Sequence, residues 1–210
     1  MKSSIVAALG WLLVVCSSAN AGEYDEAISA AFPGYRIIQP SERGLSKEDM
    51  GVEEYERARK APAVVVARFN QDKLKDFAAY ILDPASKRRE PPLPPHFPEG
   101  YDSYKGELVV CFEQGMRKYL CKPIPSYFER IFLPHPWYLE RIPPGKQKCP
   151  GLGRVRPWER PGSDRYQDEL GSDKTVNIRT DALGEWPVLG NAGRIMAFQP
   201  DGSFLECTFD

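Results

Sequence analysis

Two histidines, His96 and His135, are all that 210 residues contain, and the chain has no HExxH, no GxSxG and no CxxC. The first absence removes the helical zinc-protease site, the second the strand-turn-helix serine nucleophile, and the third the usual thiolate clamp for zinc. An excess of one charge is missing too. Lys and Arg number 28 against 29 Asp and Glu, a net charge of −1, so no overall field draws the chain to nucleic acid or to an anionic membrane. No repeat recurs at a fixed period, which argues against a solenoid or an array. Both histidines sit between prolines, in "PPHFP" and "LPHPW". Each reads as a loop or packing residue rather than a base.

Long apolar runs are absent except at the start. Lys2 precedes the apolar run "IVAALGWLLVVC", and Ala19-Asn20-Ala21 then gives a small-x-small site before Gly22. That order reads as a signal peptide over residues 1–21, cleaved to leave 22–210 as one domain. A retained anchor helix is the alternative. Cys16 lies inside the apolar run without a small-residue box after it, which argues against a lipoprotein. The mature chain is therefore expected in the periplasm or outside the cell, with no membrane span.

Export bears on the cysteines. Beyond Cys16 there are four: Cys111, Cys121, Cys149 and Cys207. An even count in an exported chain favours disulfides, and four cysteines allow three pairings. "GELVVCFEQGMRKYLCKPI" reads as two β-rich runs around "QGMR", so a hairpin centred on Met116 sets Cys111 opposite Cys121. Cys149 is left for Cys207, tying the C-terminal strand to the middle of the chain.

Twenty prolines and seventeen glycines divide the chain into short elements. Residues 23–32 read as a helix stopped by Pro33-Gly34, and 46–60 as a charged helix with Ser46 as N-cap and Pro62 as stop. Strands are expected at "YRIIQ", 63–69, 76–82, "WYLERI", "TVNIRT", "GRIMAFQ" and "FLECTF", the last two joined by the turn "PDGS". Residues 87–103 read as a proline-rich loop, and 146–172 as irregular. The sum is an α+β plan: mainly antiparallel β-sheet with two N-terminal helices and long Pro-rich loops.

One stretch stands apart. "VVVARFNQDKLKDFAAYIL", residues 64–82, sets two apolar runs on either side of a short polar loop. Calcium takes about six to eight oxygens, which short loops supply from Asp or Asn at alternate positions. Counting nine positions from Arg68, Asn70, Asp72 and Asp76 fall on the third, fifth and ninth, with the Leu74 carbonyl at the seventh. Residues 68–82 resemble the calcium loop of FG-GAP/VCBS (integrin-type propeller) repeats, in the single diverged copy found in small exported bacterial proteins. A looser likeness runs through "YLERIPPG" and the closing hairpin. One copy does not imply a propeller. The departures from the pattern matter more. Arg68 brings a cation to the first ligand position, and Lys73 stands at the sixth, where glycine would accept φ > 0. Arg68 is expected to turn its guanidinium into the loop and bond Asp72 or Asp76, replacing the ion with a covalently attached cation.

The remaining candidates are binding residues. Phe97, Tyr101 and Tyr104 lie in a proline-stiffened segment, and Trp158 has similar surroundings in "VRPWERP". Stiff aromatic loops lose little entropy on contact, which suits recognition, although the same rings could cover the sheet's own core. Asp164, Asp168 and Glu169 read as a solvated polar loop. No catalytic residue is assigned and no cofactor is expected, calcium at the 68–76 loop being the one candidate. The reading is an exported, non-catalytic binding protein for a protein or envelope component, of inhibitor or immunity type. A degenerate calcium-binding module is the alternative, and an envelope hydrolase the third.

Overall fold

The computed structural model describes residues 21–43, 52–93, 97, 99–124, 130–156, 167–187 and 192–209. The expected signal peptide therefore lies outside the described residues except for Ala21, and so do Ser46, His96, Trp158 and Asp164.

Helix α1 (Ala21–Ala31) places Tyr24 and Ile28 one turn apart, which puts both on one face. That face is buried. Pro33 cannot continue the helix, and the chain reverses through Gly34 at φ +88°, a conformation that favours glycine. Strand β1 (Arg36–Ile37) and helix α2 (Val52–Lys60) follow. Strands β2 (Val64–Ala67), β3 (Asp76–Leu82), β4 (Arg88–Glu90), β5 (Tyr101–Glu113), β6 (Tyr119–Ile124) and β7 (Arg130–Leu133) complete a seven-stranded sheet with β1. Its spine is β5. Residues 101–105 pair with β4 and β7, and 106–113 with β3 and β6, all antiparallel.

The second sheet comes from the rest of the chain. Its order is β10-β9-β13-β12-β11-β8, built from β8 (Trp137–Ile142), β9 (Gly145–Val155), β10 (Gln167–Ile178), β11 (Ala182–Pro187), β12 (Gly193–Phe198) and β13 (Phe204–Phe209). Every pairing in it is antiparallel. The molecule is thus mainly antiparallel β, with two α-helices and two single-turn 3-10 helices among the described residues.

Side-chain alternation explains how the sheets stack. Every residue of β3 is buried. Ala78, Tyr80 and Leu82 join a core shared with Leu139, Leu183, Met196 and Phe204 of the second sheet. Phe77, Ala79 and Ile81 point the other way, under Tyr24 and Ile28 of α1. A strand covered on both faces has no polar side, so its sequence runs apolar without alternation. Each large apolar side chain sealed here contributes about 1.5–3 kcal/mol.

Both cysteine pairs form as expected. Cys111 and Cys121 face each other across β5 and β6 and are bonded, and Cys149 of β9 is bonded to Cys207 of β13. Gly115, Met116 and Arg117 at the hairpin tip all have positive φ, with Met116 almost fully exposed.

Several element expectations are corrected. The segment 87–103 is not all loop, because β4 and the start of β5 occupy its ends. Residues 146–172, read as irregular, contain most of β9 and the first part of β10, so Asp168 and Glu169 stand in a strand opposite Arg154 and Gly153. Composition misleads there for a local reason. Pro150 falls between the paired residues Cys149 and Gly151, opposite Asp173 at φ +50°, so its missing N–H meets an existing irregularity. Gly151 is needed on steric grounds, since a Cβ would collide with the Thr208 side chain. Strands β7 and β11 had no counterpart in the sequence reading.

Candidate functional site

The 68–76 loop leaves β2 and enters β3, and Asp76 holds it closed. This carboxylate is fully buried. One oxygen accepts from the backbone N–H of Phe69 at 2.9 Å and of Asn70 at 3.3 Å, and the other from Glu113 at 3.0 Å. Burial pushes Asp76 up to about 6, with Asp72 adding to the rise and the three backbone donors opposing it. Asp72 binds within its own turn, accepting from the Leu74 N–H at 2.8 Å and from the Asn70 amide at 2.8 Å, while the Asp72 N–H donates to Asn70 Oδ1. Lys73 takes φ +70°, the left-handed conformation expected at that position.

The loop therefore brings Asn70, Asp72, Leu74 and Asp76 together, but its acids serve backbone N–H groups. Among the described residues no group of three or more His, Cys, Asp or Glu is placed to hold a metal ion. The expected role of Arg68 is corrected. Its side chain is exposed and makes no bond to Asp72 or Asp76. Its backbone is what is fixed: the Arg68 N–H donates to Asp181 Oδ2 at 2.9 Å, and the Asp181 N–H donates to the Arg68 carbonyl at 3.0 Å. With Asp76 already held by three peptide donors, the loop needs no internal cation, and the guanidinium is left to solvent.

Outward from the loop lies a groove of 680 Å³. Five cations line it: Arg68, Lys73 and Lys75 from the loop, Arg141 from β8, and Arg179 just after β10. Among the described lining residues the one carboxylate is Asp181, nearly buried and engaged by Arg141 Nε at 2.8 Å as well as by the Arg68 backbone. Thr180 adds a bond from its hydroxyl to the Phe69 carbonyl at 3.1 Å. These contacts tie the two walls of the groove together. Among the described residues the side chains of Arg68, Lys73, Lys75 and Arg179 have no partner. On a chain whose net charge is −1, this is a local concentration of positive charge. No comparison with known proteins places it in a family: no family model, curated protein or solved structure matches the chain.

A second polar cluster lies between the sheets. Glu185 of β11 stands opposite Arg194 of β12, and Arg194 also donates to Glu206 of β13 at 2.9 Å. Tyr80 crosses the core from β3 to donate its hydroxyl to Glu185. Burial opposes the Arg194 charge, but its two carboxylates outweigh that and hold its pKa above the usual range. Arg43 is also buried, donating to the carbonyls of Ala61 at 3.0 Å and Ala63 at 3.4 Å. His135 packs edge-on to Tyr80 with ring centroids 4.2 Å apart, and its buried ring nitrogens make no well-formed hydrogen bond, the Phe132 backbone offering only a weak one. Burial, reinforced by the Arg43 guanidinium and opposed by the Phe132 backbone, pushes His135 down to about 3. A histidine held neutral in a sealed core packs; it does not exchange protons with a ligand in solvent.

The described aromatic candidates, Phe97, Tyr101 and Tyr104, also turn inward. Phe97 and Tyr104 are each only 9% exposed. Phe97, half-buried Tyr101 and Phe132 stack on one another at 4.9 to 5.6 Å, with Tyr138 and Ala58 in the same cluster. Tyr104 belongs to the main core. As placed, Phe97 and Tyr104 cover the sheet rather than form the expected recognition surface. What the sequence reading missed is the groove. Its one local signal was Arg68, Lys73 and Lys75 within a single loop.

Proposed function

We propose that this chain is an exported, disulfide-bonded binding protein that engages a protein or envelope component without catalysis, and that the cationic groove beside the 68–76 loop is where it binds. The observation that carries the reading is the groove itself: among the described residues, five cations around 680 Å³ and one carboxylate that is internally engaged. Exposed charges held on a rigid frame bind a complementary partner with little ordering cost and draw it in from solution. Two disulfides support export. Small periplasmic inhibitors and immunity proteins are the nearest class by compartment and size.

Affinity capture tests it. The mature protein, immobilised with its disulfides intact, should retain an envelope component that raised salt releases. The Lys75→Glu/Arg179→Glu variant should not retain it. Equal retention by the variant removes the groove from the reading.

A further inference from the structure

Resting on that reading, we infer that the groove recognises an anion carrying two closely spaced phosphate groups, either free in solution or displayed on an envelope lipid. Charge density decides between anion types. Among the described residues the lining carries five positive charges and one negative, and that negative charge is already bonded to Arg141 and to the Arg68 backbone. A groove of 680 Å³ falls in the range of small-ligand sites, about 300–1,000 Å³. Four uncompensated positive charges in that volume call for negative charge packed into few atoms. A phosphate monoester carries about −1.5 to −2 and three acceptor oxygens, so two of them match the groove. Side-chain carboxylates bring one charge each, and four of them on a peptide would need more room.

Donor geometry points the same way. Asp181 holds Arg141 through Nε, which leaves both terminal nitrogens of a half-exposed guanidinium without a partner among the described residues. A guanidinium fixed in this way offers a fork suited to an oxyanion. Competing negative charge is kept out. Asp72 and Asp76 are bonded into the loop's own turns and do not line the groove. The bonds joining Asp181 and Thr180 to residues 68 and 69 hold the walls before any ligand arrives.

Calorimetric titration of the disulfide-intact mature protein with inorganic pyrophosphate, orthophosphate and hexa-aspartate provides the test. Pyrophosphate should bind about tenfold or more tighter than either of the others, and more weakly as salt rises. The Lys75→Gln/Arg179→Gln variant, exposed at both positions, should keep the parent's urea midpoint and lose about tenfold in pyrophosphate affinity. Sedimentation with vesicles containing a polyprenyl diphosphate, beside vesicles lacking it, distinguishes the sources. Co-sedimentation that pyrophosphate competes away assigns a lipid headgroup, and pyrophosphate binding without co-sedimentation assigns a free ligand. Hexa-aspartate binding as tightly as pyrophosphate, and lost in the same variant, overturns the phosphate inference but leaves the groove a binding site. If none of the three binds below about 1 mM, the inference and the reading beneath it both fall.

Discussion

His135 should make the fold acid-sensitive, and replacing it should remove that sensitivity. An unfolded histidine titrates near 6.5, whereas burial against the Arg43 guanidinium and the Tyr80 ring lowers it to about 3 in the folded chain. Between these values the unfolded chain holds a proton that the folded chain refuses. Stability from this residue is therefore complete above pH 6.5 and falls as pH drops toward 3. At about 1.4 kcal/mol per unit the loss is about 2 kcal/mol at pH 5 and approaches 5 at the bottom of the window. Asp76, raised to about 6, acts in the opposite sense, because the folded chain retains its proton between about 4 and 6 and gains stability there as pH falls. The parent's own curve mixes the two, so the informative quantity is a difference. His135→Leu conserves volume roughly and removes two buried nitrogens that lack a well-formed hydrogen bond. Urea unfolding of parent and variant at pH 7 should agree to about 1 kcal/mol. By pH 5 the variant should lead by about 2 kcal/mol more than at pH 7. Parallel stability curves over that range would refute a neutral, sealed His135.

Other outcomes follow from the same contacts. Asp76→Asn, which sets an amide against three backbone donors, should lower the unfolding free energy by about 3 kcal/mol in urea at pH 7. Arg194→Met should cost about 3–5 kcal/mol by leaving Glu185 and Glu206 buried without their cation, and adding Glu185→Leu and Glu206→Leu should recover most of it. A triple variant as unstable as the single one would mean that shape, not charge, is the reason. Alkylation without reductant should add no label to the mature protein by mass spectrometry, and Cys111→Ala/Cys121→Ala should lose about 2–3 kcal/mol for opening a loop with a sequence separation of 10. Millimolar calcium should leave the parent's melting temperature unchanged, because the Asp72 and Asp76 oxygens are already taken by donors of the chain itself. A parent that gains several degrees with calcium would make the loop a working metal site.

Legibility in the sequence tracked the distance between partners. The hairpin around Met116 and the closing turn at "PDGS" join residues a few positions apart, so turn chemistry located β5–β6 and β12–β13 and, with the first, Cys111–Cys121, whereas Cys149–Cys207, with a sequence separation of 58, followed only by elimination. Strand β3 was legible because burial on two faces leaves an unbroken apolar run. Strand β9 and the first part of β10 were not, since glycine, proline and charge are tolerated where an irregular pair absorbs the proline and a neighbouring side chain requires the glycine. The groove was least legible of all. Arg141 and Arg179 reach Arg68 only through sheet pairing and the Asp181 link, neither of which has a local signature.

The 68–76 loop separates two tasks that a calcium loop performs at once, shaping the backbone and placing charge. In a metal-holding loop the ion draws the oxygens together, so side chains of opposite charge to it must point inward. Here peptide N–H groups take the ion's place: Phe69, Asn70 and Glu113 converge on Asp76, and Leu74 on Asp72. Those donors come from the chain itself and are present whenever the loop is folded, so no further positive charge is required inside. Positions 68, 73 and 75 are then free to carry cations outward without repelling a bound ion. Among the described lining residues the one carboxylate, Asp181, is buried against the Arg68 backbone and aims Arg141. The charge pattern that weakens the loop as a calcium site is the same pattern that makes the neighbouring groove a site for anions.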